Sequence, residues 1–269
     1  MAIDPTSTIH PSSVIEDGAQ IGARCRIGPF CHVGPDVRLG DDVELFSHVV
    51  VAGHTTVGEG TRIWPFASVG HQPQDLKFRG EKSFLEIGAR CMIRESVSLN
   101  PGTEGGGGIT RIGDDCLFML GTHVGHDCQI GNRVILANHA SVAGHVVLED
   151  DVIIGGLSGV HQFCKVGRGA MIGAALKVVN DVIPYGAVNG SRADLAGLNL
   201  VGLRRRGIDK DAINELRAAF GVLFADEGNF KDRMAEVAQE YAGNPLVAEV
   251  LEFLQSDSKR AFLMPRNGA

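Results

Sequence analysis

A six-residue repeat of apolar residues runs through most of the sequence and restricts its possible folds more than any other feature. Every sixth residue from Ile9 to Leu99, and again from Ile112 to Val178, makes 28 positions, of which 26 are apolar. The second run is one residue out of phase with the first. A repeat of this kind predicts a parallel β-helix, in which short strands and turns wind into three-sided coils of about 18 residues.

Small side chains form a second column with the same period. This column holds all six cysteines, Cys25, Cys31, Cys91, Cys116, Cys128 and Cys164. Their shared phase predicts small buried hydrophobic residues, and not metal ligands or disulfides. Glycine makes up 36 of 269 residues and aromatic residues only 6%, which fits tight turns around a slim core and argues against a helical bundle.

Two stretches interrupt the repeat and predict external loops at about 71–84 and 101–110. The first contains the two charged exceptions, Asp75 and Glu81, and the second contains the run Gly105–Gly108. Without a following GK[ST] sequence and helix, the glycine run favours a flexible lid or rim over a phosphate cradle. Long loops on a repetitive scaffold are frequent sites of function.

The repeat ends near Pro184, and the remaining sequence is predicted to be helical. Asp209, Asn229 and Asn244 each precede a stretch with helical apolar spacing, and each is a favourable helix N-cap. We therefore predict two domains: a hexapeptide-repeat β-helix at 1–190, and a C-terminal α-helical domain at 191–269 that caps the open end of the coil.

Charge and hydropathy exclude several classes of protein. The formal net charge of −7 predicts no general affinity for nucleic acid, and no apolar run is long enough for stable membrane insertion. The first residues lack a secretory leader, so a cytoplasmic protein is expected. The basic cluster Arg204–Arg206 is either a solvated helix start or a site for phosphates or an acidic partner.

Several polar residues fall on a single edge of the predicted coil. With 18 residues per coil, Asp127 stacks below His145, and His126 stacks below Gly144. His161 and Gln162 follow one coil further on, with His123 on the approach to the edge. The pattern places the His126–Asp127 dyad outward, facing solvent or a neighbouring subunit.

This combination suggests base catalysis of acyl transfer. An imidazole can take a proton from a hydroxyl, a carboxylate can hold its tautomer, and a glycine N–H can stabilise a tetrahedral oxyanion. No serine or cysteine nucleophile is predicted beside the dyad. The pattern therefore favours direct transfer from a thioester to a bound hydroxyl.

Five motifs extend the comparison to a known family. They are Gln74-Asp-Leu-Lys77, His123-Val-Gly-His-Asp-Cys128, Ala143-Gly-His145, Val160-His-Gln-Phe-Cys164 and Gly202-Leu-Arg-Arg-Arg-Gly207. The chain, from Ile9 through its helical region, resembles the acyl-carrier-protein–UDP-N-acetylglucosamine O-acyltransferases, which begin lipid A synthesis. The resemblance implies a mainly β fold, a left-handed parallel β-helix with a C-terminal helical domain, and a homotrimer. It also implies two substrates, UDP-N-acetylglucosamine and an acyl carrier protein that carries a 3-hydroxyacyl thioester.

The resemblance also implies residue roles. His126 would be the general base on the sugar 3-hydroxyl, Asp127 its orienting partner, and the Gly144 N–H part of the oxyanion site. Residues implied to line the acyl and sugar pocket between subunits are Gln74, Asp75, Lys77, His123, His145, His161 and Gln162. Asn199 and Arg205 would hold the nucleotide diphosphate, and Ala174 would end the acyl groove. Val201 stands where other members carry a glutamate near the nucleotide, so contacts with uridine or ribose differ there.

Three alternatives remain from the sequence. A related N-acyltransferase shares the coil but carries an additional N-terminal domain. A trimeric zinc carbonic anhydrase would need three histidines per metal, for which His123, His126 and His145 are the candidates. A non-catalytic solenoid would leave the histidine edge without a purpose. The O-acyltransferase reading predicts no metal and no cofactor.

Overall fold

The computed structural model describes residues 2–191 and 193–265, and in this part of the chain short strands stack into three sheets of a left-handed parallel β-helix. The first sheet contains Ala2–Ile3, Gln20–Ile21, Arg38–Leu39, His54–Val57, Phe84–Ile87, Ile109–Ile112, Gln129–Ile130, Val147–Leu148 and Lys165–Val166. The second contains Thr8–Ile9, Arg26–Ile27, Glu44–Leu45, Arg62–Ile63, Met92–Ile93, Leu117–Phe118, Ile135–Leu136, Ile153–Ile154, Met171–Ile172, Gly186–Asn189 and Asp194–Leu198. The third contains Val14–Ile15, His32–Val33, Val50–Val51, Ser68–Val69, Ser98–Leu99, His123–Val124, Ser141–Val142, Gly159–Val160 and Lys177–Val178.

The repeat explains which side chains fill the interior. In most two-residue strands the second residue is buried and the first faces outward, as in Gln20–Ile21 and Met171–Ile172. The cysteine column also points inward, and all six cysteines, which lie within the described residues, are buried with free thiols. The predicted fold class and the structural role of the cysteines are therefore confirmed.

Both long insertions leave the β-helix at the same corner, where a third-sheet strand leads into the next first-sheet strand. His54 pairs with Phe84 and Phe84 with Ile109, so these two coils span 30 and 25 residues, whereas Arg111 and Gln129 pair across an ordinary 18. An excess of two hexads preserves the phase of the repeat. An excess of seven residues shifts it by one, which accounts for the phase change seen in the sequence.

The next three turns at this corner contain the predicted site residues, and we call them the site edge: Gly125–Cys128, Ala143–Val146 and His161–Cys164. The second insertion, Pro101–Gly108, includes a short 3₁₀ helix at Glu104–Gly106, and we call it the glycine loop. Both insertions therefore begin in the coils that immediately precede the site edge. Register alone brings loop and edge residues together.

The C-terminal region contains helices α1 (Leu200–Arg205), α2 (Lys210–Leu223), α3 (Phe230–Glu240) and α4 (Pro245–Gln255). As predicted, Asp209, Asn229 and Asn244 accept hydrogen bonds from backbone N–H groups in the first turns of α2, α3 and α4. Buried residues of α2 and α4 continue the core of the coil.

The expectation that everything after Pro184 is helical was wrong. Gly186–Asn189 and Asp194–Leu198 form an antiparallel hairpin that extends the second sheet. Gly186–Asn189 still has a coil partner in Met171–Ile172, so strand pairing outlasts the hexad pattern. The domain boundary at 190 lies within this hairpin and stays a prediction. Within residues 2–191 and 193–265, no helix is long and apolar enough to cross a membrane.

Candidate active site

The Asp127 carboxylate at the site edge is buried beneath the glycine loop. Its side chain is 0% exposed. Oδ1 accepts a hydrogen bond from the Thr103 N–H at 2.8 Å, and Oδ2 accepts one from the Thr103 hydroxyl at 2.6 Å. The prediction that this carboxylate faces solvent or a neighbouring subunit was wrong, because the insertion from the preceding coil folds back over the corner.

One position in the glycine loop explains why this cover fits. A Cβ on Gly106 would lie 2.0 Å from Cγ of Asp127, whereas a Cβ on Gly105 would meet no atom within 4 Å. Only a residue without a side chain lets the backbone approach the carboxylate this closely. Sequence reasoning missed Thr103 and Gly106, although the glycine run and its adjacent threonine were the available signals.

His126 is oriented by this buried carboxylate. The distance between Nδ1 of His126 and Oδ2 of Asp127 is 2.7 Å. An ionised carboxylate only accepts hydrogen bonds, so Nδ1 donates and Nε2 keeps its lone pair. The imidazole remains 17% exposed. The structure thus provides an oriented, accessible base.

Gly144 makes room for the His126 ring. A Cβ at position 144 would lie 2.6 Å from Cε1 and 2.7 Å from Nε2 of His126. No hydrogen-bond partner of the Gly144 N–H is found in the described part of the chain. A free N–H beside the reactive nitrogen is the arrangement needed to stabilise an oxyanion.

His145 and His123 flank the dyad as mostly buried imidazoles. The His145 ring stacks on Phe163 with centroids 4.5 Å apart, and its Nε2 lies 3.9 Å from Oδ2 of Asp127. Burial lowers the pKa of His145, against an opposing effect of Asp127. Burial also lowers the pKa of His123, whose Nδ1 lies 2.7 Å from the Ser98 hydroxyl. Both rings therefore favour the neutral form more than an ordinary histidine does.

Two clefts meet the site edge from opposite sides. The first, of about 480 Å³, lies on the third-sheet side and includes Gln74, His123, His126, Gly144, His161 and Gln162. The second, of about 510 Å³, lies on the first-sheet side and includes Asp75, Lys77, Thr103, Gly106, His145 and Lys259. The loop at 71–84 reaches both clefts. Nine of the thirteen predicted site residues line a cleft, and Asp127 lies buried beside them.

Three predicted site residues lie away from both clefts. Ala174 lies exposed at the corner between the second and third sheets. Asn199 is buried, with its side-chain oxygen accepting from the Gly202 N–H at 2.9 Å and its amide donating to the Gly169 carbonyl at 3.0 Å. Arg205 is exposed at the end of α1. Within one chain, Asn199 thus has a capping role, and the substrate roles of these three residues stay predictions.

Asn100 is a cleft residue that the sequence did not reveal. It is 5% exposed and lines the first cleft, where its amide donates to the His71 carbonyl at 3.3 Å. Its Oδ1 is buried and has no partner within the described residues. Buried acceptors are normally satisfied, so a ligand donor at this position would complete the site.

Cys128, directly after the dyad, is unsuited to serve as a nucleophile. Burial raises the pKa of its thiol to about 12, and Sγ lies 3.1 Å from the Ala143 carbonyl. The thiolate is the reactive form of cysteine, so this group is inert near neutral pH. Acyl transfer through a covalent intermediate on Cys128 is therefore disfavoured.

The site also contains a group of potential metal ligands. His126, Asp127 and His145 have ligand atoms within 4.8 Å of one another. However, Nδ1 of His126 and Oδ2 of Asp127 are 2.7 Å apart, whereas zinc ligands with bonds of about 2.0–2.1 Å are spaced roughly 3.3 Å apart. The pair is set for a hydrogen bond. His123, the third candidate of the zinc alternative, contacts Ser98 instead.

Two family models match the sequence. The model described as Udp N-acetylglucosamine O-acyltransferase, Domain 2, matches residues 181–263. The model described as Bacterial transferase hexapeptide (six repeats) matches residues 18–53 and 109–144. The two models cover the helical region and parts of the coil, including the His126–Asp127 turn.

Curated proteins and solved structures agree with these models. An acyl-[acyl-carrier-protein]–UDP-N-acetylglucosamine O-acyltransferase of Paracoccus denitrificans is 63% identical over 203 residues, which cover 76% of this chain and 77% of that protein. The Rhizobium etli protein of the same name is 49% identical over 79% of this chain and 78% of its own. A UDP-N-acetylglucosamine acyltransferase structure from Campylobacter jejuni matches with a TM-score of 0.90 and 40% identity, over 96% of this chain and 100% of that one.

Proposed function

Because this chain belongs to the UDP-N-acetylglucosamine O-acyltransferase family of enzymes, we propose that it transfers a 3-hydroxyacyl group from acyl carrier protein to the 3-hydroxyl of UDP-N-acetylglucosamine. This reaction would be the first step of lipid A synthesis. The printed names of the relatives support both substrate classes. The observation that carries the proposal is the buried carboxylate that orients an accessible imidazole beside a glycine N–H.

The proposed reaction is direct transfer with His126 as the general base. Nε2 of His126 takes the proton of the sugar hydroxyl while the hydroxyl oxygen attacks the thioester carbonyl. The carbonyl electrons move onto oxygen, and the Gly144 N–H donates to the resulting oxyanion. Collapse of this intermediate forms the ester, breaks the carbon–sulfur bond, and returns the proton from imidazolium to the departing carrier thiolate.

Asp127 would stabilise the imidazolium that forms during this step. Its carboxylate is away from water and accepts two hydrogen bonds from Thr103, which fix it against the His126 ring. A charge held in a site of low effective dielectric acts more strongly on its neighbour than it would at the surface. General base catalysis of this type contributes a factor of about 10²–10⁴ in rate.

A homotrimer would complete the pocket. The outward face of the second sheet carries the exposed residues Met92 and Met171, and its corner with the third sheet carries Phe30, Phe66 and Leu157, the last 70% exposed. Burial of such a face against another copy is favourable, at roughly 25 cal/mol per Å² of apolar surface. Because the first cleft is open on the third-sheet side, a neighbouring copy there would form its outer wall.

The nucleotide is proposed to lie near α1. Arg205 is exposed there, and Asn199 holds the start of this helix against Gly169. In this arrangement Arg205 contacts the diphosphate, whereas Asn199 positions the helix. Val201 is also exposed and has no polar group to offer uridine or ribose.

Ala174 is proposed to limit the length of the acyl chain. Its exposure at the second corner is compatible with a groove that closes only between subunits. Ala174→Gly should shift preference to longer chains and Ala174→Met to shorter ones, by up to roughly 10–200-fold per methylene. Competition among carrier thioesters of graded length measures this, and identical product ratios for all three proteins would place the end of the groove elsewhere.

The central experiment is incubation of the protein with UDP-N-acetylglucosamine and a series of 3-hydroxyacyl carrier proteins. We expect an acylated nucleotide sugar whose ester is cleaved by mild alkali, without added metal. An alkali-stable amide product, or no product with any chain length, would overturn the proposal. Stoichiometric zinc in the purified protein, with bicarbonate dehydration activity, would support the zinc enzyme instead.

A further inference from the structure

The segment after α4 returns to the β-helix and is fixed to its last coil. Asp181 is fully buried, its N–H donates to the Ala261 carbonyl at 2.8 Å, and its carbonyl accepts from the Leu263 N–H at 2.7 Å. The Ser258 hydroxyl donates to the Asp181 carboxylate. These contacts hold residues 258–263 in a defined path beside the site edge.

This path places the Arg260 guanidinium on the back of His161. Nη2 of Arg260 lies 2.8 Å from Nδ1 of His161. Nη2 and Nε also donate to the Gln162 carbonyl, at 3.0 and 3.2 Å. The Arg260 N–H donates to the Ser258 hydroxyl at 3.1 Å, which ties the arginine to the Asp181 contact.

The contact fixes the tautomer of His161. A guanidinium has donors only and is always protonated, so Nδ1 of His161 must be the acceptor. The proton of the neutral ring is then on Nε2. The opposite tautomer would bring an Nδ1–H toward the Gln162 carbonyl, 3.2 Å away, but this carbonyl already accepts from Arg260.

His126 and His161 therefore present opposite groups to one cleft. Asp127 accepts from Nδ1 of His126, which leaves an acceptor at its Nε2, whereas Arg260 donates to Nδ1 of His161, which leaves a donor. Both rings line the first cleft. A site that takes a proton from one substrate oxygen and binds another needs one group of each kind.

We propose that Arg260 is a positioning residue that holds His161 in the Nε2–H form, so that His161 donates a hydrogen bond to an acceptor oxygen of the bound acyl or sugar substrate. The substrate part rests on the proposed function. The tautomer part does not, because it follows from the contacts of Arg260 alone.

Long-range ¹H–¹⁵N correlation spectra of protein labelled at histidine test the tautomer, with His161 assigned through His161→Gln. We expect the Nε2–H form in the wild type and a shift toward Nδ1–H in Arg260→Met. Arg260→Lys, which keeps a cationic donor, should restore the wild-type form. Arg217→Met, at an exposed position of α2, is the control for loss of a helical-region arginine.

Kinetics test the consequence for substrate. Arg260→Met should lower kcat/KM about 5–10-fold, mainly through KM, as for loss of one hydrogen bond. In the background of His161→Gln, whose amide donor has no tautomer, Arg260→Met should have no further effect. A full additional loss there would show that Arg260 acts directly or only structurally, and thermal unfolding of each variant separates misfolding from these outcomes.

The two proposals fail in different ways. A wild-type Nδ1–H form of His161, or an unchanged tautomer in Arg260→Met, would overturn the role of Arg260 whatever the activity. Absence of acyl transfer by the wild type, together with the expected tautomer change, would leave the positioning role intact and reject the proposed function.

Discussion

Two corners of the same β-helix carry charged residues at equivalent positions of the repeat, but only one has the properties of a reactive site. At the corner between the first and second sheets, which we call the charged corner, Arg133 contacts Asp151 at 2.7 Å with its guanidinium 51% exposed. At the site edge, His126 contacts Asp127 at the same 2.7 Å, with the carboxylate away from solvent. Distance alone therefore does not distinguish the two pairs.

The difference lies in what covers the pair. Exposed ion pairs are screened by water and salt, and each contributes about 0–1 kcal/mol to stability. At the site edge, the glycine loop removes water from one side of Asp127 and supplies two donors to it. A short insertion into the preceding coil has converted an ordinary surface position into a site of low effective dielectric.

The most severe test of this contrast is His126→Ala. Loss of the base should lower kcat by about 10²–10⁴-fold without unfolding the coil, because the ring contributes nothing to the interior column. Acyl transfer and thermal unfolding measure the two parts. His32→Ala, which removes an exposed histidine paired with Glu16, is the control and should retain activity. Normal turnover in folded His126→Ala protein would remove His126 from its role.

The cover itself is tested by a matched pair of glycine variants. Gly106→Ala introduces a methyl group into the Asp127 carboxylate and should lower kcat about 10-fold or more by displacing the loop, since one misplaced charge-assisted contact is worth roughly 1.5–3 kcal/mol. Gly105→Ala adds the same atom to the same loop without a contact and should behave as the wild type. Equal activities would mean that the cover of Asp127 is not needed for catalysis.

A change of pH should affect the site edge more than the charged corner. Burial lowers the pKa of His123 and His145 in the folded protein, so their full contribution to stability is present above the ordinary histidine pKa of about 6.5 and is lost as pH falls from there through the lower folded values. The ion pair between Arg90 and Asp115 has a raised arginine pKa and a lowered aspartate pKa, so it stays charged throughout this range.

Thermal unfolding between pH 7.5 and 5.5 measures this effect through the difference between the wild type and His145→Gln. We expect the wild type to lose more stability than the variant as pH falls. Parallel curves would contradict the assignment of His145 as a buried neutral ring.

The smallest expected effect is at the charged corner. Arg133→Met should change the free energy of unfolding by only about 0–1 kcal/mol and leave kcat unchanged, because Arg133 is half exposed and Asp151 also lies near Arg206. Chemical denaturation and acyl transfer assays measure both. A large loss of activity would show that the two corners are coupled, and that the contrast drawn here is too simple.

Much of this arrangement could be predicted from the sequence because the repeat is strict. Subtraction of 18 placed His145 over Asp127 and Gly144 over His126, and the structure has both contacts. The α2, α3 and α4 caps followed from residue types with known preferences. These features depend on local pattern or on a fixed period.

The missed features depend on contacts between a loop and an edge, which have no period. The burial of Asp127, the roles of Thr103 and Gly106, and the unpaired oxygen of Asn100 arise where insertions fold back on the coil. The return of Arg260 to His161 joins residues 99 positions apart. Neither hydrophobic spacing nor propensity records such contacts.

The constant register across the two insertions has a consequence for how such enzymes diversify. Coils of 30 and 25 residues pair with their neighbours as faithfully as coils of 18, so loop length at this corner is free to vary while the rest of the scaffold stays as it is. The corner works as a grafting point: peptides of different length and chemistry can be exchanged there as cassettes. The turn Gly34–Val37, at the same corner of an earlier coil, offers a vacant position for building a second specificity into one chain.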